Sequence, residues 1–214
     1  MSIVEVVKQR FTTKAYDASR KITAQQEQEL LDILRYSPSS LNLQPWHFFA
    51  ITSDEGKETI LPGIRDFNAA KVRDSAMVVV FTSKDTLDDA QFSKVQQQED
   101  LDGRFKDEET KNANDKGRRN YIAAYGGSDE DLRYWMERQT YISLGFLLLG
   151  AAAMGLNATP IEGIDPVLLD ERLGLKEKGL HSLAVVAIGH NSEKDFNASL
   201  PKSRLSEETV ITRL

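Results

Sequence analysis

The chain has 214 residues and a net charge of −6, from 27 Lys+Arg against 33 Asp+Glu, and it contains no cysteine. The missing cysteine excludes disulfides, thiol catalysis, Fe–S clusters and thiolate zinc sites, and the expected setting is the reducing cytoplasm. An acidic balance without a Lys/Arg block argues against non-specific nucleic-acid or anionic-membrane binding, but leaves room for a local basic pocket.

The length fits one domain over 1–214. Glu5 interrupts the first apolar stretch, so no signal peptide is expected. Val4, Val7 and Phe11 share one helical face and predict a short first helix. Thr23-Ala-Gln-Gln26 fits a capping box opening a helix to about Tyr36. Ser37 to Pro45 then breaks it, being rich in Ser, Asn and Pro. Trp46 to Thr52 reads as a strand, and Met77 to Thr82, apolar on both faces, as a central one. Asp85 to Tyr125 is polar, charged and helical in propensity. Within it, Glu99, Asp100, Asp102, Glu108 and Glu109 read as a solvated helical face.

Ser128 and the acids after it cap a long apolar helix, which Gly155 ends. No charged side chain falls between Gln139 and Ile161. The glycines, Asn157 and Pro160 make that stretch a buried helix followed by a strand rather than a membrane span. Its small residues Ser143, Gly145, Gly150 and Ala151 to Ala153 allow close helix–helix approach, within the chain or across a subunit interface. Ala158 to Glu162 is a short strand, Asp165-Pro166 opens a helix to about Leu173, and Leu183 to Gly189 is a buried strand. The polar tail from Asn191 ends in Val210-Ile-Thr212, an expected added edge strand. The whole reads as α+β: a mixed sheet sandwiched by helices.

Several chemistries have no footing. No G-x-G-x-x-G, Walker A or G-x-S-x-G motif is present, and His47, His181 and His190 form no metal motif. His47 reads as a packing residue in a strand and His190 as a turn residue. What remains is two small basic turns, Arg10-Phe-Thr-Thr-Lys14 and Pro201-Lys-Ser-Arg204. Each alone is ordinary solvated surface. Together, Arg forks, Lys ammoniums and hydroxyls suit a phosphate monoester. Ser39, Ser40, Asn42 and Gln44 could hydrogen-bond a planar heterocycle, and Pro160-Ile-Glu-Gly163 could bring a backbone N–H close to a ligand.

In these residues the chain resembles the nitroreductase family of FMN-dependent flavoproteins, and within it the enteric-type oxygen-insensitive NAD(P)H branch, also called dihydropteridine reductases. The matching segments are Arg10-x-x-Thr13-Lys14-Ala-Tyr-Asp17 and Tyr36-Ser-Pro-Ser-Ser40-x-Asn42-x-Gln-Pro-Trp-His-Phe48. Further on come Gln98-Glu-Asp-x-Asp-Gly-Arg104-Phe, Asn114-Asp-Lys-Gly-Arg118, Pro160-Ile-Glu-Gly163, Gly174-Leu-Lys-Glu-Lys-Gly179 and Asp195 to Arg204. They run in order over essentially the whole chain.

The resemblance implies an intertwined α+β homodimer whose C-terminal arm, about 195–214, crosses to the partner. It implies one tightly bound FMN per subunit at the interface, with NAD(P)H as co-substrate. Arg10, Lys202 and Arg204 would hold the FMN phosphate, with Phe11 in the same turn and Thr12 adding hydroxyl and backbone contacts. Lys14 would sit at the N1/O2 edge and is the residue assigned a catalytic role, because a cation there stabilises reduced flavin. Asn68 and Lys71 would reach the pyrimidine edge. Pro160, Ile161, Glu162 and Gly163 would face the N5/O4 side. From the other subunit, Pro38, Ser39, Ser40, Asn42 and Gln139 would line the ring and ribityl chain. Leu41, Phe67, Arg104 and Tyr121 would face the acceptor or the nicotinamide.

This sequence also departs from the family pattern. Phe11 stands for a histidine, Thr12 for a serine, Leu41 for a threonine and Tyr121 for a phenylalanine, and Arg65 lies in a loop that is often aromatic. Thr12 keeps the hydroxyl, so these departures bear on substrate range and nicotinamide contacts and leave flavin binding in place. The implied reaction is ping-pong hydride transfer from NAD(P)H through flavin N5 to nitroaromatics, quinones or pteridines. A flavin, quinone or enone reductase of the same fold, or a non-catalytic flavin-binding dimer, remain the alternatives.

Overall fold

The structure is a computed structural model that describes residues 1–125 and 127–214. α1 (Ile3–Gln9) and α2 (Ala24–Arg35) open on capping boxes at Ser2 and Thr23, each closed by a side chain three residues on. β1 (Trp46–Ile51) leads through α3 (Asp54–Ile60) and α4 (Asp66–Asp74) to β2 (Met77–Lys84). α5 (Asp89–Leu101) and α6 (Glu108–Tyr125) form the charged excursion. α7 (Asp129–Ala153) is capped by Ser128, and Gly155 follows it at φ 73°. β3 (Asn157–Ile161), α8 (Pro166–Leu173) and β4 (Leu180–Gly189) complete the body, and α9 (Glu207–Val210) ends it.

The four strands run in the order β1-β2-β4-β3, so the two apolar strands hold the middle. All three pairings are antiparallel, with Val80 opposite Val185 at the centre and Thr159 opposite Ala187 at the β3 side. The expected mixed sheet is therefore reduced to one parallel bridge, Thr12 to Ala158, on the outer edge of β3. That bridge matters, because it lays the first basic turn along the sheet.

Alternation sorts the β2 side chains into two cores. Val78 and Val80 face Ile60, Val72 and Leu169. Met77, Val79 and Phe81 face Leu30, Leu34, Leu147 and Ala151. The sheet is thus sandwiched, with α3, α4 and α8 on one face and α2 and α7 on the other. A satellite core of Leu43, Phe92, Ile122, Trp135 and Met136 ties the excursion to α7.

Three expectations change. α1 buries Val6 rather than Val4 and Val7, which lie open on its outer side. Val210-Ile-Thr212 pairs with no strand among the described residues; its first residue closes α9 and Ile211 is extended. The acidic run of α5 and α6 is not wholly solvated, since Glu99 is only 4% exposed. The small residues of α7 do bring helices together: a Cβ on Gly150 would meet Ile33 Cδ1 of α2 at 2.5 Å. No helix among the described residues is long and apolar enough to cross a membrane.

Candidate active site

The first group of site residues forms where the chain's two ends meet. Residues 10–17 run beside β3, fixed by the Thr12–Ala158 and Tyr16–Asn191 bridges. The Tyr16 hydroxyl donates to Ala187 O at 2.7 Å and lies 3.1 Å from Thr159 Oγ1, and burial raises its pKa above the ordinary phenol value. The segment after β4 clamps the same stretch from outside. Buried Asp195 accepts the Lys14 N–H through Oδ2 at 3.1 Å, and Asn197 Nδ2 donates to Thr12 O at 2.7 Å. Lys202 Nζ donates to Val7 O at 2.9 Å and to Arg10 O, capping the end of α1.

These ties converge Arg10, Phe11, Thr12, Lys202 and Arg204 on one cavity of about 360 Å³. No carboxylate lies within ion-pair distance of Arg10, Lys202 or Arg204 among the described residues. Burial, then the charge of Arg204, pushes Arg10 down from the usual guanidinium range. Burial, then Arg10 and Arg204, does the same to the Lys202 ammonium. Cations gathered around one cavity without a counter-charge make a place for an anion with several acceptor oxygens.

A second group adjoins the first. Lys71 Nζ donates to Asn68 Oδ1 at 2.7 Å, and the buried Asn68 amide reaches Gly163 O at 3.4 Å. Burial, then the charge of Lys14, lowers the Lys71 pKa, so the two ammoniums share one neighbourhood. Gly163 allows a close approach here: a Cβ would meet Asn68 Nδ2 at 2.5 Å and the Phe67 ring at 3.0 Å, so both side chains would have to shift. The Gly163 carbonyl is held by the Arg65 N–H at 3.0 Å, and neither the Glu162 nor the Gly163 N–H donates to an acceptor among the described residues. Those two donors follow Pro160 and Ile161 at the end of β3. Phe67 is open to solvent, with Lys71 Nζ 6.0 Å from its ring. Tyr141 donates to Glu162 Oε1 at 2.7 Å, and burial and that carboxylate push its phenol up to about 12.

The third group stands apart within one chain. Leu41, Asn42 and Gln44 have φ of 57°, 55° and 46°. Such backbone costs on the order of 1 kcal/mol or more per non-glycine residue. Side chains hold it in place. The Ser40 N–H donates to Gln139 Oε1 at 2.9 Å, the Gln44 N–H to Ser39 Oγ at 2.9 Å, and Gln91 Nε2 to Leu43 O at 2.7 Å. Gln139 is therefore buried as a clamp on this loop. Pro38 precedes it on the surface. Leu41, Asn42 and Arg104 line a cleft of about 480 Å³ with Glu99 and Arg118. The Tyr121 ring stacks on Tyr125 at 6.0 Å, outside that cleft. No hydrogen bond, ion pair or cavity joins this loop to the two basic groups among the described residues.

The three histidines lie outside these groups. His47 is exposed and edge-on to Phe49 at 5.0 Å, His190 accepts the Asp17 N–H through its carbonyl, and His181 lies between Asp85 and Glu137. Residue-by-residue reasoning missed Asp195, Asn197, Tyr141, Glu99 and Arg118. Four of these five sit inside the segments that carry the resemblance; only Tyr141 had no signal.

The Nitroreductase family matches residues 7–190. The chain belongs to this family. It is 50% identical over 217 residues to the oxygen-insensitive NAD(P)H nitroreductase of Salmonella typhimurium, covering 100% of both chains. It is 32% identical to the major NAD(P)H-flavin oxidoreductase of Aliivibrio fischeri, covering 99% of this chain and 98% of the other. A solved structure in complex with FMN from Exiguobacterium sibiricum superposes with a TM-score of 0.84 at 22% identity, over 100% of this chain and 98% of that one. The fold and the oxidoreductase class follow from membership, and the family's α+β architecture is the one described above.

Proposed function

We propose that the chain is an FMN-dependent NAD(P)H reductase, working as a homodimer on nitroaromatics, quinones or pteridines. The observation that carries this reading is the meeting of Arg10, Lys202 and Arg204 around one cavity with no carboxylate to neutralise them. Beside it lie the neighbouring Lys14 and Lys71 ammoniums and two unpaired N–H groups at a glycine against which Asn68 and Phe67 pack closely. A phosphate monoester joined to a planar heterocycle matches that donor set. When bound there, FMN supplies hydride transfer between NAD(P)H and an electron acceptor in two half-reactions.

The chain's own residues do the rest. Arg10, Lys202 and Arg204 hold the phosphate, with the Thr12 hydroxyl beside them. Lys14 and Lys71 place positive charge at the pyrimidine side, where reduction adds negative charge, and Lys14 carries the catalytic electrostatic role. Asn68, fixed by Lys71, and the Glu162 and Gly163 N–H groups orient the ring. Pro38, Ser39, Ser40 and Asn42 complete the site from the partner subunit, with Gln139 holding their loop. Leu41, Phe67, Arg104 and Tyr121 face the acceptor and the nicotinamide. No strong acid is needed, because protons come from water.

The Salmonella relative's name favours nitro compounds as acceptors, and the Aliivibrio relative's name supports free flavin as a second reading. An anaerobic experiment separates the outcomes. The purified protein is expected to be yellow, to bleach on adding NADH or NADPH, and to regain colour with a nitroaromatic or a quinone. Bleaching reversed only by free flavin selects the second reading. A yellow protein that NAD(P)H does not bleach is a flavin-binding dimer, and a colourless one that FMN cannot reconstitute overturns the proposal.

A further inference from the structure

Buried Glu99 joins the charged excursion to the strained loop. Its Oε1 accepts from Asn42 Nδ2 at 2.9 Å and its Oε2 from Arg118 Nη2 at 2.7 Å. Both acidic and basic side chains are 5% exposed, yet Arg118 Nη1 is buried without a partner. A buried ion pair with an orphaned nitrogen is a poor source of stability. It does fix direction. A carboxylate is acceptor-only, so the Asn42 amide must turn its NH₂ toward Glu99. The other side agrees, because Asn42 Oδ1 accepts from Gln44 Nε2 at 3.1 Å. One Asn42 N–H is thereby spent on Glu99, and the second has no acceptor among the described residues.

We infer that Glu99 and Arg118 are positioning residues for the flavin. Arg118 holds the Glu99 carboxylate, Glu99 sets which way the Asn42 amide faces, and Asn42 presents its free N–H from a left-handed backbone to the partner subunit's cofactor. The inference rests on the reading that the Pro38–Asn42 loop contacts FMN. Neither Glu99 nor Arg118 touches the cofactor itself.

The test is the rate at which the holoenzyme releases FMN on dilution, followed by flavin fluorescence, beside the melting temperature of the apoprotein. Asn42→Ala is expected to speed release about five- to tenfold, the worth of one hydrogen bond. Glu99→Gln keeps the volume but accepts either amide orientation, and is expected to speed release by a similar factor. The double variant Glu99→Gln/Asn42→Ala is expected to release no faster than Asn42→Ala, because both changes remove the same contact. Glu99→Leu with Arg118→Met removes both charges at similar volume. It is expected to keep or raise the apoprotein's melting temperature while releasing FMN as fast as Glu99→Gln. Wild-type release in Glu99→Gln, or multiplied effects in the double variant, would overturn the inference while leaving the loop's flavin contact intact. Wild-type release in Asn42→Ala removes that contact and the inference with it. Fast release in Arg10→Ala under the same conditions then shows that FMN still binds at the basic turn.

Discussion

Arg204 reaches the cation cavity from a tail whose own residues are almost wholly exposed, so its place is set by the Lys202 and Asn197 ties rather than by packing. Its guanidinium adds to the repulsion that lowers Arg10 and Lys202, which a bound phosphate would reverse. Arg204→Ala is therefore expected to weaken FMN binding by about 10- to 100-fold, the range for one charge-assisted hydrogen bond, with little change in apoprotein stability. Flavin titration of the apoprotein, beside its urea midpoint, measures both. Tyr141 gives a pH-dependent counterpart. Its folded pKa, about 12, lies above the ordinary value of 10.0, so the neutral, donating phenol is the favoured form. Its bond to Glu162 is thus fully present below about pH 10 and is lost as pH rises toward about 12. Tyr16 and Tyr134 are also raised, so an ultraviolet titration is expected to show several late phenols, with one fewer in Tyr141→Phe; an unchanged late phase would mean that the hydroxyl is not so held.

At the scale of elements, most of the body was legible because local signals and tertiary packing agree. The Thr23 and Ser128 caps, Asp165-Pro166 at the start of α8 and the apolar runs of β2 and β4 each appear where sequence placed them. The misses share a cause. Val210-Ile-Thr212 has strand propensity, but strands need partners and none lies within the chain's described residues. Glu99 sits in a run of acids that periodicity alone cannot divide into wet and dry, and only the approach of Arg118 from α6 marks it as buried. The basic turns were readable as an anion site, whereas the clamps behind them join residues some 180 positions apart, which no local pattern reveals. Gly150 was readable as a close-approach residue but not its partner, Ile33. Gly150→Ala is expected to destabilise the fold by about 1 kcal/mol through that clash, and Ile33→Val to recover part of the loss. Urea unfolding of the two single variants and the pair measures it, and an additive pair would show that the contact is not the cause.

At the scale of the whole molecule, α7 is apolar on too many sides for a helix packed on only one. Leu147 and Ala151 are fully buried against the sheet, but Tyr141, Ile142 and Phe146 lie open on the opposite side, around a Gly145 with nothing within 4 Å. A helix that is apolar all round belongs in an interior. Ile3, Val4 and Val7 of α1 add to the exposed apolar surface, and so do Leu205, Val210 and Ile211 of the tail. Meanwhile the loop from Pro38 to Asn42 and the basic cavity, two parts of one proposed site, do not meet within the chain. A second copy would answer both facts at once, by covering α7 and bringing its loop to the first copy's cations. Light scattering is expected to give twice the chain's 24.0 kDa. Removing 205–214 leaves Lys202 and Arg204 in place but strips the exposed apolar tail. That truncation is expected to shift the dimer toward monomer and to release FMN in proportion to the monomer formed. A truncated protein that stays dimeric would confine the interface to the helices. Full-length protein that is monomeric and still holds FMN would break the link between assembly and cofactor.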